Sequence, residues 1–384
     1  MNKIKENILS WCPNPEEGAL KQAENISQHP WLIGNVCLMP DTHEGYGMPI
    51  GGVVALDKAV CPNMVGVDIG CQMSAVQTNL TEISTEKLKE ILGILRNTIP
   101  VGMKHQKNPI KHPIFELDDW NDTIICKQEF QSAQYQLGTL GGGNHFIEIQ
   151  KGSNGYIFFM VHSGSRNLGK KVADYYNKKA KEICAEWKHD EIIKNDLAIL
   201  PFKTKEYSDY VKEMQLCIYF ASANHTIMVE EIKKAFCKVL DNNVEFNETI
   251  NTIHNYMALE NHYGKNVFVH RKGAVRAREN DIVIIPGSQG TSSYICQGLG
   301  NEASLCSCSH GSGRTMSRKK AKETLDLKEE QRKLDEKGIL HAIRGQNDLE
   351  EASSAYKDIE EVMKNQSDLV KPLVRLEPLA VIKG

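Results

Sequence analysis

Several short segments of this sequence place a carboxylate, a thiol or an imidazole beside glycine at the end of an apolar run. VGVDIGC carries Asp68 and Cys71, GGGNHFIE carries Asn144, His145 and Glu148, FFMVHSGSR carries His162, TIHNY carries His254, and CSHGSGRTMSR carries His310. Strand ends beside glycine turns are where a scaffold presents side chains into a cleft. Each group has a structural alternative: Asp68 as a turn residue, Cys71 as a small buried thiol, each histidine as a hydrogen-bonded core residue. Taken jointly, Asp68, Cys71, His145, His162 and His254 supply oxygen, sulfur and nitrogen donors for two metal ions, the arrangement that clamps a phosphoryl group during in-line displacement. Thiolate and imidazole suit zinc, whereas a carboxylate and a phosphate suit manganese or magnesium, so the donor set leaves the metal open.

Three glycine-rich stretches, TLGGGNH, PGSQGTSS and HGSGR, expose backbone N–H groups that can cradle anionic oxygens, though none has Walker A spacing. His310 stands apart because Arg314, Arg318, Lys319 and Lys320 follow it closely. Nearby cations disfavour protonation and keep an imidazole in the form that attacks phosphorus or binds metal; a histidine packed at a helix start is the alternative. Asp41 and His43 in MPDTHEGYGMPIGG read as orienters of metal-bound imidazoles or as a turn-stabilising Asp-x-His. Cys306 and Cys308 read as strand-end thiols without a role. The stretch GMKHQKNPIKHP, Gly102 to Pro113, is basic and reads as a solvated loop or as part of a nucleic-acid track.

These groups need a scaffold, and the rest of the 384 residues supplies one. A hydrophobic content of 41% suffices for a sizeable core, and the net charge of −3 means that any polyanion must be held by a local basic cleft rather than by overall charge. The eleven cysteines show no disulfide framework or paired zinc spacing, and the expectation is a reduced, cytoplasmic protein without membrane spans. Apolar strands broken by glycine are expected from Gly34 to about Gln77, with Met64 to Gln77 as one of them. STEKLKEILGILRNTI predicts a helix capped at Ser84 or Thr85, with Leu88, Ile91, Leu92 and Leu95 on its buried face. Leu137 to Gly169 reads as two strands with polar ends. Residues 169 to 263 read as mainly helical, strands return at NVFVHRKGAV and DIVIIPGSQGTSSYI, residues 316 to 337 as one charged helix, and LVRLEPLAVIKG as a last strand. The expected fold class is α+β: one mixed α/β domain over residues 1 to 384, with a sheet-lined metal cleft and a helical insertion near 170 to 260.

In this order, VGVDIGC, GGGNHFIE, VHSGSR, HN, VHRKGA, IPGSQGTSSY and HGSGRTMSR closely resemble the RtcB family of RNA ligases, from about Met39 to the penultimate Lys383. The resemblance implies a ligase dependent on GTP and two manganese ions. Such an enzyme joins RNA ending in a 3′-phosphate or 2′,3′-cyclic phosphate to RNA with a 5′-hydroxyl. It implies that His310 becomes guanylylated, that GMP passes to the RNA 3′-phosphate, and that the 5′-hydroxyl then displaces it. Carried over by motif, the metal ligands would be Asp68, Cys71, His145, His162 and His254, with Cys71 bridging. Guanylate contacts would fall on Asn144, His145, Phe146, Ile147, Glu148, His254, Asn255, Pro286, Gly287, Ser288, Gln289, Ser293, His310, Gly311, Ser312, Gly313 and Lys383. Arg166 and Arg314 would face phosphate.

Gln289 stands where the family pattern has methionine, and the short chain resembles a compact bacterial group associated with a release-factor homologue, so tRNA and ribosomal RNA stay open as substrates. Two other functions fit the same residues. One is a metal-dependent phosphohydrolase that opens cyclic phosphates without joining; the other is an idle RNA-binding protein that keeps the fold.

Overall fold

In the strand Ile157–Ser163, IFFMVHS, every residue is buried, as it must be where a sheet is covered on both faces. Strand periodicity then divides it. Phe159 and Val161 pack with Met228, Ile232 and Phe236 of the long helix Lys205–Val239, whereas Phe158 and Met160 pack with Leu334, Ile343 and Leu349 on the opposite side. His162 has the parity of Phe158 and Met160. The neighbouring strand Phe146–Gly152 obeys the same rule: Ile147 and Ile149 face the long helix, and Phe146 faces away from it together with Glu148. A computed structural model describing residues 1–240 and 243–384 shows what this alternation builds.

Seven strands form the site-bearing sheet, in the order Ile250–Ile253, Gln72–Gln77, Ile157–Ser163, Phe146–Gly152, Val370–Lys383, Ser293–Gly298 and Ile282–Ile285. Its register puts Met73 opposite His162, His162 opposite Phe146, and Phe146 opposite Lys383. A single row thus crosses four strands and ends at the C-terminal lysine. A second sheet has the order Asn2–Lys5, Ile8–Ser10, Leu32–His43, Ile50–Leu56, Lys265–Lys272 and Asn255–His262. The chain passes from one sheet to the other at His254, between Ile253 and Asn255. A short pair, Ala274–Arg276 with Ser307–Ser309, carries the backbone into His310.

The architecture is mixed α/β with the helix at Thr85–Thr98 capped by the Ser84 side chain and burying Leu88, Ile91, Leu92 and Leu95. Three segments depart from the sequence reading. Met64 to Gln77 is not one strand: only Gln72–Gln77 is extended, because Gly66 and Gly70 take φ values of 95° and 74° and fold the DIGC segment into a loop. Helices occupy Arg166–Glu186, Asp190–Lys194 and Lys205–Val239, but Ile250–Ile253 and Asn255–His262 are strands. The latter forms a hairpin with Lys265–Lys272 across Tyr263 and Gly264, both at positive φ, a turn that matches strand twist. The charged helix expected over 316 to 337 is two, Arg318–Thr324 and Leu327–Glu336, since Asp326 caps the second by accepting from the Glu329 N–H.

Candidate active site

Within the row across the seven-stranded sheet, His162 belongs to a cluster of donor atoms. Cys71 Sγ lies 3.3 Å from His162 Nε2 and 3.5 Å from His145 Nε2, His162 Nε2 lies 3.4 Å from His254 Nε2, and His145 Nε2 lies 3.1 Å from Asp68 Oδ2. Two groups result, Cys71 with His162 and His254, and Asp68 with Cys71 and His145; the sulfur belongs to both. The loop that carries Asp68 and Cys71 is held from the crossover. His254 donates its N–H to Cys71 O, Gly70 donates to Asn255 O, and the Asn255 amide donates to Asp68 O while accepting from Gly273 N–H.

The donors are chemically poised for cations. His162 donates Nδ1–H to the Asn144 carbonyl at 3.1 Å, which leaves its Nε2 lone pair facing Cys71 and His254. Burial pushes the Cys71 thiol well above its ordinary range and His162 and His254 well below theirs. Imidazoles held neutral are ligands, and a buried thiolate needs a cation beside it. His145 Nδ1 and His254 Nδ1 are buried without hydrogen-bond partners. The residues therefore fit a pair of divalent ions.

His310 stands beside this cluster, its ring centroid 5.0 Å from that of His254. Its Nδ1 is 2.6 Å from Asp41 Oδ2, and the same oxygen accepts its backbone N–H at 3.1 Å. Asp41 is fully buried. With Nδ1–H donated to that carboxylate, Nε2 keeps its lone pair, the state of an oriented nucleophile or base. The sequence had suggested that the basic run keeps this imidazole neutral; the group that touches it is Asp41. Likewise, Asp41 and His43 do not orient metal-site imidazoles: Asp41 holds His310, and His43 Nδ1 donates to the Asp41 carbonyl. Gly313, at φ 71°, lies so close to the Asp41 carbonyl that a Cβ there would collide with it, so glycine is required where this turn crosses the aspartate strand.

From His310 a cleft of about 810 Å³, counted to its open mouth, runs past Phe146, Glu148, Pro286 to Gln289 and Gly311 to Gly313 to Lys383. Burial raises Glu148 to about 8, opposed by the Gln150 amide and by Lys383. Lys383 is drawn below its ordinary value by burial, while Glu351 and Glu148 oppose the shift. A buried carboxyl group, Glu148, and the Lys383 amine thus lie along one wall.

A family model described as "tRNA-splicing ligase RtcB" matches residues 22–124 and 116–384. The chain belongs to the RtcB family. It is 35% identical to the RNA-splicing ligase RtcB of Escherichia coli (strain K12) over 390 residues, covering 96% of this chain and 95% of that protein. It is 33% identical to the tRNA-splicing ligase RtcB of Nanoarchaeum equitans over 447 residues, covering 96% and 92%, and 30% identical to that of Thermococcus kodakarensis over 448 residues, with the same shares.

Not every position expected from the RtcB resemblance faces the cleft. Ile147 projects from the opposite face of its strand into the core against the long helix, so only its backbone is near the site. Asn255 braces the loop that carries Asp68 and Cys71, and Ser293 Oγ accepts from Gly287 N–H and from the Gln150 amide, steadying the PGSQG turn from behind. Gln289 is buried and donates to the Glu351 carbonyl, with its own amide oxygen unpartnered. Arg166 donates to Thr139 Oγ1 and Gly102 O, and Arg314 lines the cleft with its guanidinium engaged by Met316 O, Glu350 O, Glu351 and Tyr356.

Sequence reasoning missed Glu351, the hub of this RtcB cleft. It receives Arg318 Nε at 2.8 Å, Arg314 Nη1 at 3.4 Å, the Tyr356 hydroxyl, and Lys383 Nζ at 3.6 Å. Burial alone would raise its pKa, but Lys383 and Arg318 hold it below its ordinary value. In NDLEEASSAY nothing separates Glu351 from solvated acids except its distance in space from the lysine 32 positions later.

Proposed function

We propose that this protein is an RNA ligase that joins RNA ending in a 3′-phosphate or 2′,3′-cyclic phosphate to a 5′-hydroxyl end, using GTP and two manganese ions. The observation that carries the reading is the Asp41–His310 pair, which holds an imidazole that lines the cleft, its ring centroid 5.0 Å from that of His254. The names of the relatives, RNA-splicing and tRNA-splicing ligases, support RNA as the substrate class. Among the described residues no helix is long and apolar enough to cross a membrane.

Each residue has a task. Asp68, Cys71, His145, His162 and His254 would hold the ions, which supply charge neutralisation on the phosphates and alignment for in-line displacement. His310 Nε2 attacks the α-phosphorus of GTP, forming a P–N bond as pyrophosphate leaves, while Asp41 fixes the tautomer and steadies the charge that develops on the ring. A 2′,3′-cyclic phosphate is first opened by water to a 3′-phosphate; the RNA 3′-phosphate then takes the GMP from His310, and the 5′-hydroxyl displaces GMP as the new phosphodiester forms. The backbone at Gly311 and Gly313 admits the nucleotide closely. Guanine presents N–H donors beside the O6 acceptor, and the carbonyl oxygen of the Glu148 carboxyl group with the Lys383 ammonium offers the complementary pair. A hydrolase that only opened cyclic phosphates would use the metal groups alone, and the Asp41–His310 pair favours the ligase.

Incubation with manganese and α-labelled GTP tests this directly. Acid-labile label is expected on the wild-type protein and absent from His310→Ala. A folded, metal-loaded wild-type protein that stays unlabelled over a range of divalent metals refutes the reading.

A further inference from the structure

Resting on the RNA-ligase reading, we propose that the loop from Gly102 to His112 is a track for the phosphate backbone of the RNA strand that carries the terminal phosphate. From Ile91 to Phe115 the sequence holds Arg96, Lys104, His105, Lys107, Lys111 and His112 and no carboxylate. Lys104, His105, Lys107 and Lys111 are exposed, and among the described residues none of the three lysines is ion-paired. That distinguishes them from many of the surface lysines on the helices, such as Lys170, Lys205, Lys233 and Lys234, which pair with nearby acids.

The loop is built rather than loose. Gly102 donates its N–H to Gly141 O at 2.8 Å, Gln106 donates to Tyr135 O at 2.8 Å and through its amide to Gly138 O at 2.9 Å, and Ile110 donates to Gln134 O at 2.9 Å. Each anchor alternates with a cation that points outward.

Its position gives the occupant. Gly141 opens the same turn that presents Asn144 and His145, and Arg166 bridges the two segments by donating to Gly102 O. A Cβ on Gly142 would stand 3.6 Å from Gly102 Cα, whereas one on Gly143 would meet Arg318 Nη2 at 3.0 Å. The glycine turn therefore has the basic loop on one side and Arg318, which lines the nucleotide cleft, on the other. With the guanylate on the Arg318 side, a strand whose last phosphate reaches Asp68 and His145 leaves over the loop. A row of unpaired cations within an acid-free segment holds a polyanionic backbone irrespective of its sequence, and under the RNA-ligase reading that backbone is RNA phosphate.

The experiment uses the full-length protein with Lys104→Gln, Lys107→Gln and Lys111→Gln combined, and a control in which Lys233, Lys234 and Lys238 are changed likewise. Guanylylation of His310 by GTP without RNA serves as the internal standard and is expected to match wild type in both. For a single-stranded RNA with a 3′-phosphate, the loop variant is expected to bind at least about tenfold more weakly near 0.1 M salt. Its log–log salt dependence is expected to flatten by about 2, from ~0.7 per lost contact over three lysines. Activity at saturating RNA stays within about twofold. The inference is overturned if guanylylation is normal and RNA affinity and salt slope are unchanged, if the control loses as much, or if the loss falls on the 5′-hydroxyl strand alone. Absence of guanylylation in the wild type would instead refute the ligase reading.

Discussion

Replacing Asp41 by asparagine isolates what the buried carboxylate does for His310. The side chain keeps its volume, it lies outside both candidate metal groups, and one of its oxygens, Oδ1, already has no hydrogen-bond partner. What changes is Oδ2, which accepts both the His310 ring N–H at 2.6 Å and its backbone N–H at 3.1 Å. Losing a hydrogen bond to a charged group is worth about 1.5–3 kcal/mol, so orientation alone lowers the rate of His310 guanylylation by about 10-fold to 150-fold. If the new amide turns its NH2 toward the ring, Nδ1 becomes the acceptor and Nε2 carries the hydrogen. The nucleophile is then in the wrong tautomer, an effect that reaches about 10⁴-fold where an aspartate orients a catalytic histidine in a serine protease. The assay is single-turnover labelling with α-labelled GTP at saturating manganese, with metal content and thermal unfolding measured on the same preparation. The variant should bind the same number of ions and label between about 10-fold and 10⁴-fold more slowly. Labelling within twofold of wild type, in a folded and metal-loaded variant, would refute the orienting role of Asp41.

Two further outcomes follow from the geometry. Glu148 is raised to about 8 from an ordinary value of 4.5, so its protonated form is the one the fold favours. Its contribution is full below about pH 4.5 and is lost as pH rises through 8, a slope approaching about 1.4 kcal/mol per pH unit in that window. Denaturant unfolding of nucleotide-free Glu148→Gln should therefore lack this decline, matching wild type near pH 4 and exceeding it near pH 8.5; parallel pH profiles would contradict the assignment. Because both donor groups share Cys71, Cys71→Ala should weaken binding of two manganese ions, whereas His162→Ala should weaken one. Calorimetric titration giving one lost ion for both variants would show that the sulfur does not serve both groups.

Much of the site was legible because strand parity is. In HFIEIQ and FFMVHSG the alternation alone puts Phe146, Glu148 and His162 on one face and Ile147, Ile149 and Val161 on the other. Applied to Ile147, it would have removed that side chain from the guanylate contacts. The MVGVDIGC segment was misread as strand because its apolar run contains two glycines, Gly66 and Gly70, that take positive φ. The strand at Asn255–His262 was absorbed into the helical stretch because it shows no clean apolar alternation: Leu259 is exposed and Glu260 is buried against Arg271. Asp41 was recognised as an orienter but assigned the wrong imidazole, since 269 residues separate it from His310 and nothing local records the contact. Glu351 was invisible for the same reason: its partners converge from three segments of chain.

The crossover at His254 and Asn255 has a mechanical consequence. Asp41 belongs to one sheet, His162 belongs to the other, Cys71 sits on the loop that leads into that second sheet, and the two are pinned together where Asn255 holds Asp68 O and Gly273 N–H at once. The molecule is a caliper: its jaws are two sheets, joined at this dipeptide and through the buried cluster that holds Met39 and Val53 with Val283 and Cys296. The gap between histidine and metal groups is therefore gauged by the packing between sheets, and a displacement of about 1 Å there is enough to reduce catalysis about a hundredfold. A core substitution far from the cleft can consequently leave the fold standing and every donor in place, and still mis-set the instrument.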